Sequence, residues 1–142
     1  MSYREIPNGL TPQIYCTLRA KVGFQPYAPE DVKTALKKTL FSVVICDGER
    51  PVGLARIVGD DRIVFFIKDV VVDPEYQHKE IGRHIVEALL RYIDRKACPN
   101  AYVGLMCTPH TEEFYEKFGF IRRPCKGLGN GMVKFVHTQP AN

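Results

Sequence analysis

Residues 68–83, KDVVVDPEYQHKEIGR, restrict the architecture more than any other stretch of this 142-residue chain. An apolar, β-branched run reaches a turn at Asp73-Pro74, crosses a short polar loop and enters a long amphipathic pattern at Ile81-Gly82. A buried strand therefore ends where a helix begins. The first turn of a helix carries amide N–H groups without intrahelical acceptors. With the positive end of the helix dipole they attract anions, phosphate above all. The helix is expected over 80–96, where Ile81, Ile85, Leu89 and Ile93 recur at i, i+4 beside Val86 and Leu90. Glu87 and Arg91 form a favourably oriented pair on its other face.

The strand before this helix is expected over 63–72. Its apolar residues run almost without alternation, as in a strand covered on both faces, and Lys68 and Asp69 interrupt them. Cys98-Pro99-Asn100 stops the helix, and 101–107 reads as the next strand. Strand, helix and strand with short links argue for a parallel pair joined by a right-handed crossover. Upstream, a strand at 3–6 precedes a helix capped by Thr11, with Pro12 first and Ile14, Tyr15, Leu18 and Val22 as its apolar stripe. A turn carrying two exposed aromatics, Phe24 and Tyr27, leads to a helix over 29–40. Strands at 41–46 and 52–58 flank the hairpin turn Asp47-Gly48-Glu49-Arg50-Pro51. Downstream, a short helix from Thr111 ends at Phe118-Gly119, with Gly119 as its C′ residue. Strands at 120–123 and 132–136 follow, around the glycine-rich loop 126–131. The expected class is α/β (α+β in some schemes): one mixed sheet flanked by helices, in a single domain over 1–136 with an unstructured tail at 137–142.

A formal charge of +4 without a basic run argues against a nucleic-acid partner; Lys37-Lys38 and Arg122-Arg123 read as solvated doublets. Five scattered cysteines, odd in number and without a C-x-x-C pair, read as reduced thiols of a cytoplasmic protein. Cys46 and Cys107 fall in apolar runs, where a thiol behaves as a small hydrophobe. No His/Cys spacing suggests a metal site, and no apolar run is long enough to span a membrane.

Gln77-His78-Lys79-Glu80-Ile81-Gly82 resembles the pyrophosphate loop, Q/R-x-x-G-x-G/A, of the GNAT superfamily of N-acetyltransferases. Phe114-Tyr115-Glu116-Lys117-Phe118-Gly119-Phe120 is similar to that family's F-Y-x-x-x-G-F element, and the likeness covers roughly 51–124. The type resembled is a small, single-domain bacterial GNAT protein. The resemblance implies the GNAT fold, a mixed and mostly antiparallel sheet with a splayed parallel strand pair. It also implies an acetyl-CoA-dependent N-acetyltransferase. Val70, Val71 and Val72 would hold the pantetheine arm, and the N–H groups of Gln77, His78, Lys79, Glu80, Ile81, Gly82 and Arg83 the pyrophosphate. Phe114, Tyr115 and Lys117 would also contact CoA. Tyr115 would protonate the departing thiolate, although Phe114, Tyr115 and Phe118 also form an aromatic face suited to a core. Glu80 departs from the pattern, standing where the family usually has Gly. At about 6 Å from a phosphate charge its repulsion is about 0.7 kcal/mol in bulk water and about 3 kcal/mol at an effective dielectric of 20.

An ammonium acceptor must lose a proton before it attacks. Asp69, an acid within a buried strand, is the candidate base, and Ile67-Lys68-Asp69-Val70 resembles the glucosamine-6-phosphate N-acetyltransferases, which have an acid at this place. The bland alternative is an Asp bonding backbone amides at a β-bulge. His110 is a weaker candidate, and a base acting through ordered water is a third route. Cys107 lacks a His at activating spacing and is not read as a nucleophile. Phe24, Tyr27 and the loop 127–132 are expected on the acceptor side. The reading is acetyl transfer to a primary amine of a small molecule or aminosugar, in a protein compatible with a homodimer. A non-catalytic CoA-binding module, raised by Glu80, and a protein lysine or N-terminal acetyltransferase are the alternatives.

Overall fold

The structure is a computed structural model and describes residues 2–136, so the tail expected at 137–142 lies outside the described residues. The chain divides into two compact units, Met1–Leu105 and Met106–Asn142.

The first unit holds β1 (Tyr3–Pro7), α1 (Pro12–Lys21), α2 (Pro29–Leu36), β2 (Phe41–Asp47), β3 (Arg50–Gly59), β4 (Val64–Val72), α3 (Ile81–Lys96) and β5 (Tyr102–Gly104). The strands lie in sequence order, β1 to β4 antiparallel and β5 parallel to β4. Thr11 caps α1 as expected, its Oγ1 accepting the Ile14 N–H at 3.2 Å. Neighbouring residues of β3 face opposite layers. Leu54 packs with Val71 against Tyr15, Leu18 and Val32 of the α1/α2 pair. Gly53 looks the other way, onto α3, where a Cβ would lie 2.9 Å from Ile81 Cγ2 and from Ile85 Cδ1. Glycine is needed there for close approach of helix and sheet.

Three expectations for this unit are corrected. β4 alternates, with Phe65, Ile67 and Val71 buried and Val64, Phe66 and Val72 more open. Apolar residues in both phases hid that period in the sequence. The strand expected over 101–107 shortens to Tyr102–Gly104, and its ladder with β4 ends at Phe66↔Gly104. α2 likewise stops at Leu36, and the expected last turn tightens, the Lys38 N–H bonding the Ala35 carbonyl at 3.0 Å and the Thr39 N–H the Leu36 carbonyl at 3.3 Å.

The second unit contains α4 (Glu112–Glu116). Gly119 at φ +92° closes the turn after it, bonding its N–H to the Glu116 carbonyl at 3.0 Å. Neither 120–123 nor 132–136 is a strand; the described residues form a single bridge between Cys125 and Leu128. Pro124 and the glycines at 127, 129 and 131 weaken strand formation, and an isolated hairpin is marginal without a third strand. Cys107 is exposed rather than a core thiol, whereas Cys46 is buried as expected.

Candidate active site

The polar loop between β4 and α3 is anchored at its start by an acid the sequence reading passed over. Asp73 is buried, and its carboxylate accepts from the Glu75 N–H at 3.0 Å, Lys21 Nζ at 2.8 Å and Arg50 Nη2 at 3.2 Å. Burial pushes this carboxyl up, but the bonds from Lys21, Glu75 and Arg50 outweigh it and hold it below the usual range. Its own N–H bonds the Val52 carbonyl at 2.8 Å, so the loop leaves the sheet from a fixed point. Gln77, His78, Lys79 and Glu80 then stand exposed.

His78 (φ +64°) and Glu80 (φ +63°) are left-handed. Glu80 is the N-cap of α3 without a side-chain cap bond, and its carboxylate turns out to Arg83 at 2.9 Å. Arg83 also pairs with Glu87 at 2.7 Å. The first helical bond joins the His84 N–H to the Glu80 carbonyl at 3.2 Å. Helix geometry leaves the N–H groups of Ile81, Gly82 and Arg83 without intrahelical acceptors. The glycine of the family pattern thus marks a conformation, and Glu80 adopts it at a cost of about 1–2 kcal/mol. Glu80→Gly is expected to raise stability by about 1 kcal/mol, read as a higher urea midpoint at unchanged m. An unchanged midpoint would show that no strain resides there.

β4 supplies the second feature. Leu54 pairs with Val71 and Arg56 with Lys68, so Asp69 and Val70 together oppose the single residue Ala55. This is a β-bulge, and Asp69 sits in it at φ +61°. Its carboxylate bonds side chains rather than the amides expected of a bulge acid. Oδ1 receives Arg19 Nε at 3.1 Å and faces Lys68 Nζ at 3.6 Å. Oδ2 accepts from the Tyr15 hydroxyl and from Arg56 Nε at 3.5 Å. Burial pushes the Asp69 carboxyl up, yet Tyr15, Lys68, Arg19 and Arg56 together hold it below the usual range. Burial and the bond to Asp69 push the Tyr15 phenol up to about 12. A carboxylate so engaged is a poor proton acceptor at neutral pH. Beyond Phe66, the edge of β4 that faces β5 carries no ladder partner among the described residues, which leaves Val70, Val71 and Val72 on an open edge.

Phe24 and Tyr27 meet Asp69 through Arg19. The Arg19 guanidinium lies 5.0 Å from the Tyr15 ring centre, 5.5 Å from Phe24 and 5.1 Å from Tyr27, and its Nη1 bonds the Gln25 carbonyl at 2.8 Å. A shallow hollow here is lined by Cys16, Arg19, Ala20, Phe24, Pro26 and Tyr27. Tyr15, Arg19 and Arg56 were not singled out from the sequence. The available signal was the buried acid itself, which requires cationic partners.

In the second unit, Phe114 packs edge-on against Tyr115 (5.0 Å) and Phe118 (5.3 Å), and Tyr115 against Phe120 (6.0 Å). Burial first, and the nearby Cys107 second, push the Tyr115 phenol up to about 12. Lys117 is exposed. The His110 N–H bonds Glu112 Oε1 at 3.1 Å. No group of metal-binding side chains occurs among the described residues, and no described helix is long and apolar enough to cross a membrane.

A parallel β4–β5 pair whose ladder ends at Phe66↔Gly104, followed by an amide-lined helix start, fits an acetyltransferase scaffold, and comparison with known proteins agrees. The Acetyltransferase (GNAT) family matches residues 11–120. GCN5-related N-acetyltransferase 1, chloroplastic, of Arabidopsis thaliana is 33% identical over 96% of this chain and 68% of its own length. Serotonin N-acetyltransferase 2, chloroplastic, of Oryza sativa subsp. japonica is 31% identical over 74% of the chain, which spans 54% of that relative. Among solved structures, a protein of unknown function from meticillin-resistant Staphylococcus aureus, classed as a probable acetyltransferase, superposes with a TM-score of 0.85. It is 30% identical and covers 94% of this chain and 100% of its own. The chain belongs to the GNAT family of acetyltransferases. Its catalytic class is that of an N-acetyltransferase.

Proposed function

We propose that this protein transfers acetyl from acetyl-CoA to a primary amine of a small molecule. The observation that carries the reading is the open edge of β4 at Val70, Val71 and Val72, running by way of the Asp73-anchored loop to the free amides of α3. An extended polar arm pairs with an open strand edge and a diphosphate with a helix start, so the groups present fit CoA. Gln77, His78, Lys79, Glu80, Ile81, Gly82 and Arg83 would hold the pyrophosphate by their N–H groups, and Val70 to Val72 the pantetheine. Phe114 and Lys117 are assigned to CoA contact by the family match alone. Bound CoA supplies an acetyl thioester open to attack by nitrogen.

The remaining roles belong to the chain. The Val70 N–H, beside the bulge, is assigned to polarising the thioester carbonyl. Tyr115 Oη keeps its proton throughout neutral pH and is assigned to donating it to the leaving sulfur, solvent reprotonating the phenol afterwards. Asp69, with both oxygens engaged, fixes the bulge and the two arginines rather than accepting the acceptor's proton. The positive surroundings of Asp69 favour the neutral amine, and its proton passes to water. Phe24 and Tyr27 form the acceptor wall. The name of the rice relative supports a small amine as acceptor. Thiol release from acetyl-CoA with a panel of amines tests the reading. Acetylated amine in step with free thiol is expected, and CoA binding without release from any amine would overturn it.

A further inference from the structure

The Asp69 cluster contains more positive charge than its acid can balance. Arg19, Arg56 and Lys68 all lie within 3.6 Å of one carboxylate. Two buried guanidinium groups against one carboxylate leave a surplus of one positive charge, and the half-exposed Lys68 adds another at the rim. A buried ion pair that served stability alone would be closer to neutral, because uncompensated charge in an apolar setting is costly. Asp69 has no capacity left, since each oxygen already meets two partners.

The guanidinium groups are fixed but not saturated. Arg19 is held between three aromatic rings and tied at Nε and Nη1. Arg56 is tied at Nε to Asp69 and at Nη1 to Thr39 Oγ1 at 3.4 Å. Among the described residues no acceptor meets Nη2 of either. The Arg19 side chain is only 6% exposed, yet it lines the hollow beside Phe24 and Tyr27. Lys68, at the rim of the cluster, is 46% exposed. Planar, pre-positioned N–H groups backed by aromatic faces are a receptor for carboxylate or phosphate. The same surplus repels an acceptor that carries only an ammonium group.

We propose that the acceptor amine bears an anionic group, a carboxylate or a phosphate, received by Arg19 beside the Phe24–Tyr27 wall, with Arg56, on the other oxygen of Asp69, adding its charge. This rests on the acetyltransferase reading above and adds the charge class of the acceptor. Asp69 and Tyr15 are positioning residues: they aim the guanidinium groups and do not touch the acceptor.

The test uses matched amines with purified full-length protein and acetyl-CoA: serotonin against 5-hydroxytryptophan, 1-aminopentane against 5-aminopentanoate, and glucosamine against glucosamine 6-phosphate. The first two pairs add a carboxylate and the third a phosphate, so the pair that responds identifies the anion. The anion-bearing member of at least one pair is expected to show a kcat/KM about 10- to 100-fold above its partner without the anion. In the wild type this ratio should fall as KCl rises from about 0.05 to about 0.5 M, a readout that needs no variant to fold. Arg56→Gln should bring the ratio toward one, and Arg56→Lys should restore part of it. Members without the anion preferred or equal in all three pairs would overturn the inference while leaving acetyl transfer to small amines intact. A ratio indifferent to salt and to Arg56→Gln would also overturn it. Absence of thiol release with every amine would remove the acetyltransferase reading itself and this inference with it.

Discussion

Asp69→Asn is expected to lower the stability of the protein by about 3–5 kcal/mol. The change is nearly isosteric, and Asn tolerates the left-handed backbone at φ +61°, so the charge is what it removes. Asp69 has a fully buried side chain, and the side chains of its partners Arg19 and Arg56 are only 6% and 12% exposed. Without the carboxylate, two guanidinium groups remain in a poorly solvated place with no counter-charge. The pH dependence follows from the direction of the shift. A carboxyl whose folded pKa lies below its unfolded value stabilises the fold at all pH above about 3.9, and that contribution is lost as pH falls through the folded value. The gap between wild type and variant should therefore narrow below about pH 4. Tyr15 acts on the opposite side. Its phenol is pushed up to about 12, so the stability it contributes is present below about pH 10 and lost as pH rises through about 12. Urea unfolding across pH measures both limbs. A loss under about 1 kcal/mol at neutral pH would show that the arginines find other counter-charge.

Tyr115→Phe is expected to lower kcat by about 100-fold or more with CoA affinity nearly unchanged. The ring remains, so its packing with Phe114 and Phe120 survives and only the hydroxyl is lost. A phenol of about 12 stays protonated through neutral and mildly alkaline solution. A fall in wild-type rate between about pH 7 and 10 would thus have another source. Steady-state kinetics with calorimetric CoA binding separates the outcomes. Unchanged turnover would remove the acid role, and a large loss of CoA affinity would make Tyr115 a packing residue of the cofactor site.

Elements were legible where the information was local. The apolar stripe from Ile81 to Ile93, the Thr11 cap and the Gly119 turn each lie within a few residues, and the structure has them where the pattern puts them. Strands 120–123 and 132–136 looked equally good by pattern, but a strand also needs an edge to join, which no local window contains. The loop at Glu80 was readable as chemistry and misleading as geometry. An acid at a helix start looks ordinary, and nothing in its type announces a left-handed backbone. Asp69 was noticed because a buried acid is unusual. Its partners were not, because Tyr15 and Arg19 belong to another helix, 54 and 50 residues away.

Those separations bear on the order of events when the chain folds. The network around Asp69 ties α1 to the adjacent strands β3 and β4, so it cannot close until the helix, whose Tyr15 and Arg19 precede Asp69 by 54 and 50 residues, has met them. Before that moment the acid and the arginines are simply hydrated ions, contributing nothing to a folding nucleus. Its energy should therefore reside in the unfolding barrier, and weakening it should shorten the lifetime of the native state while the refolding rate stays near that of the wild type.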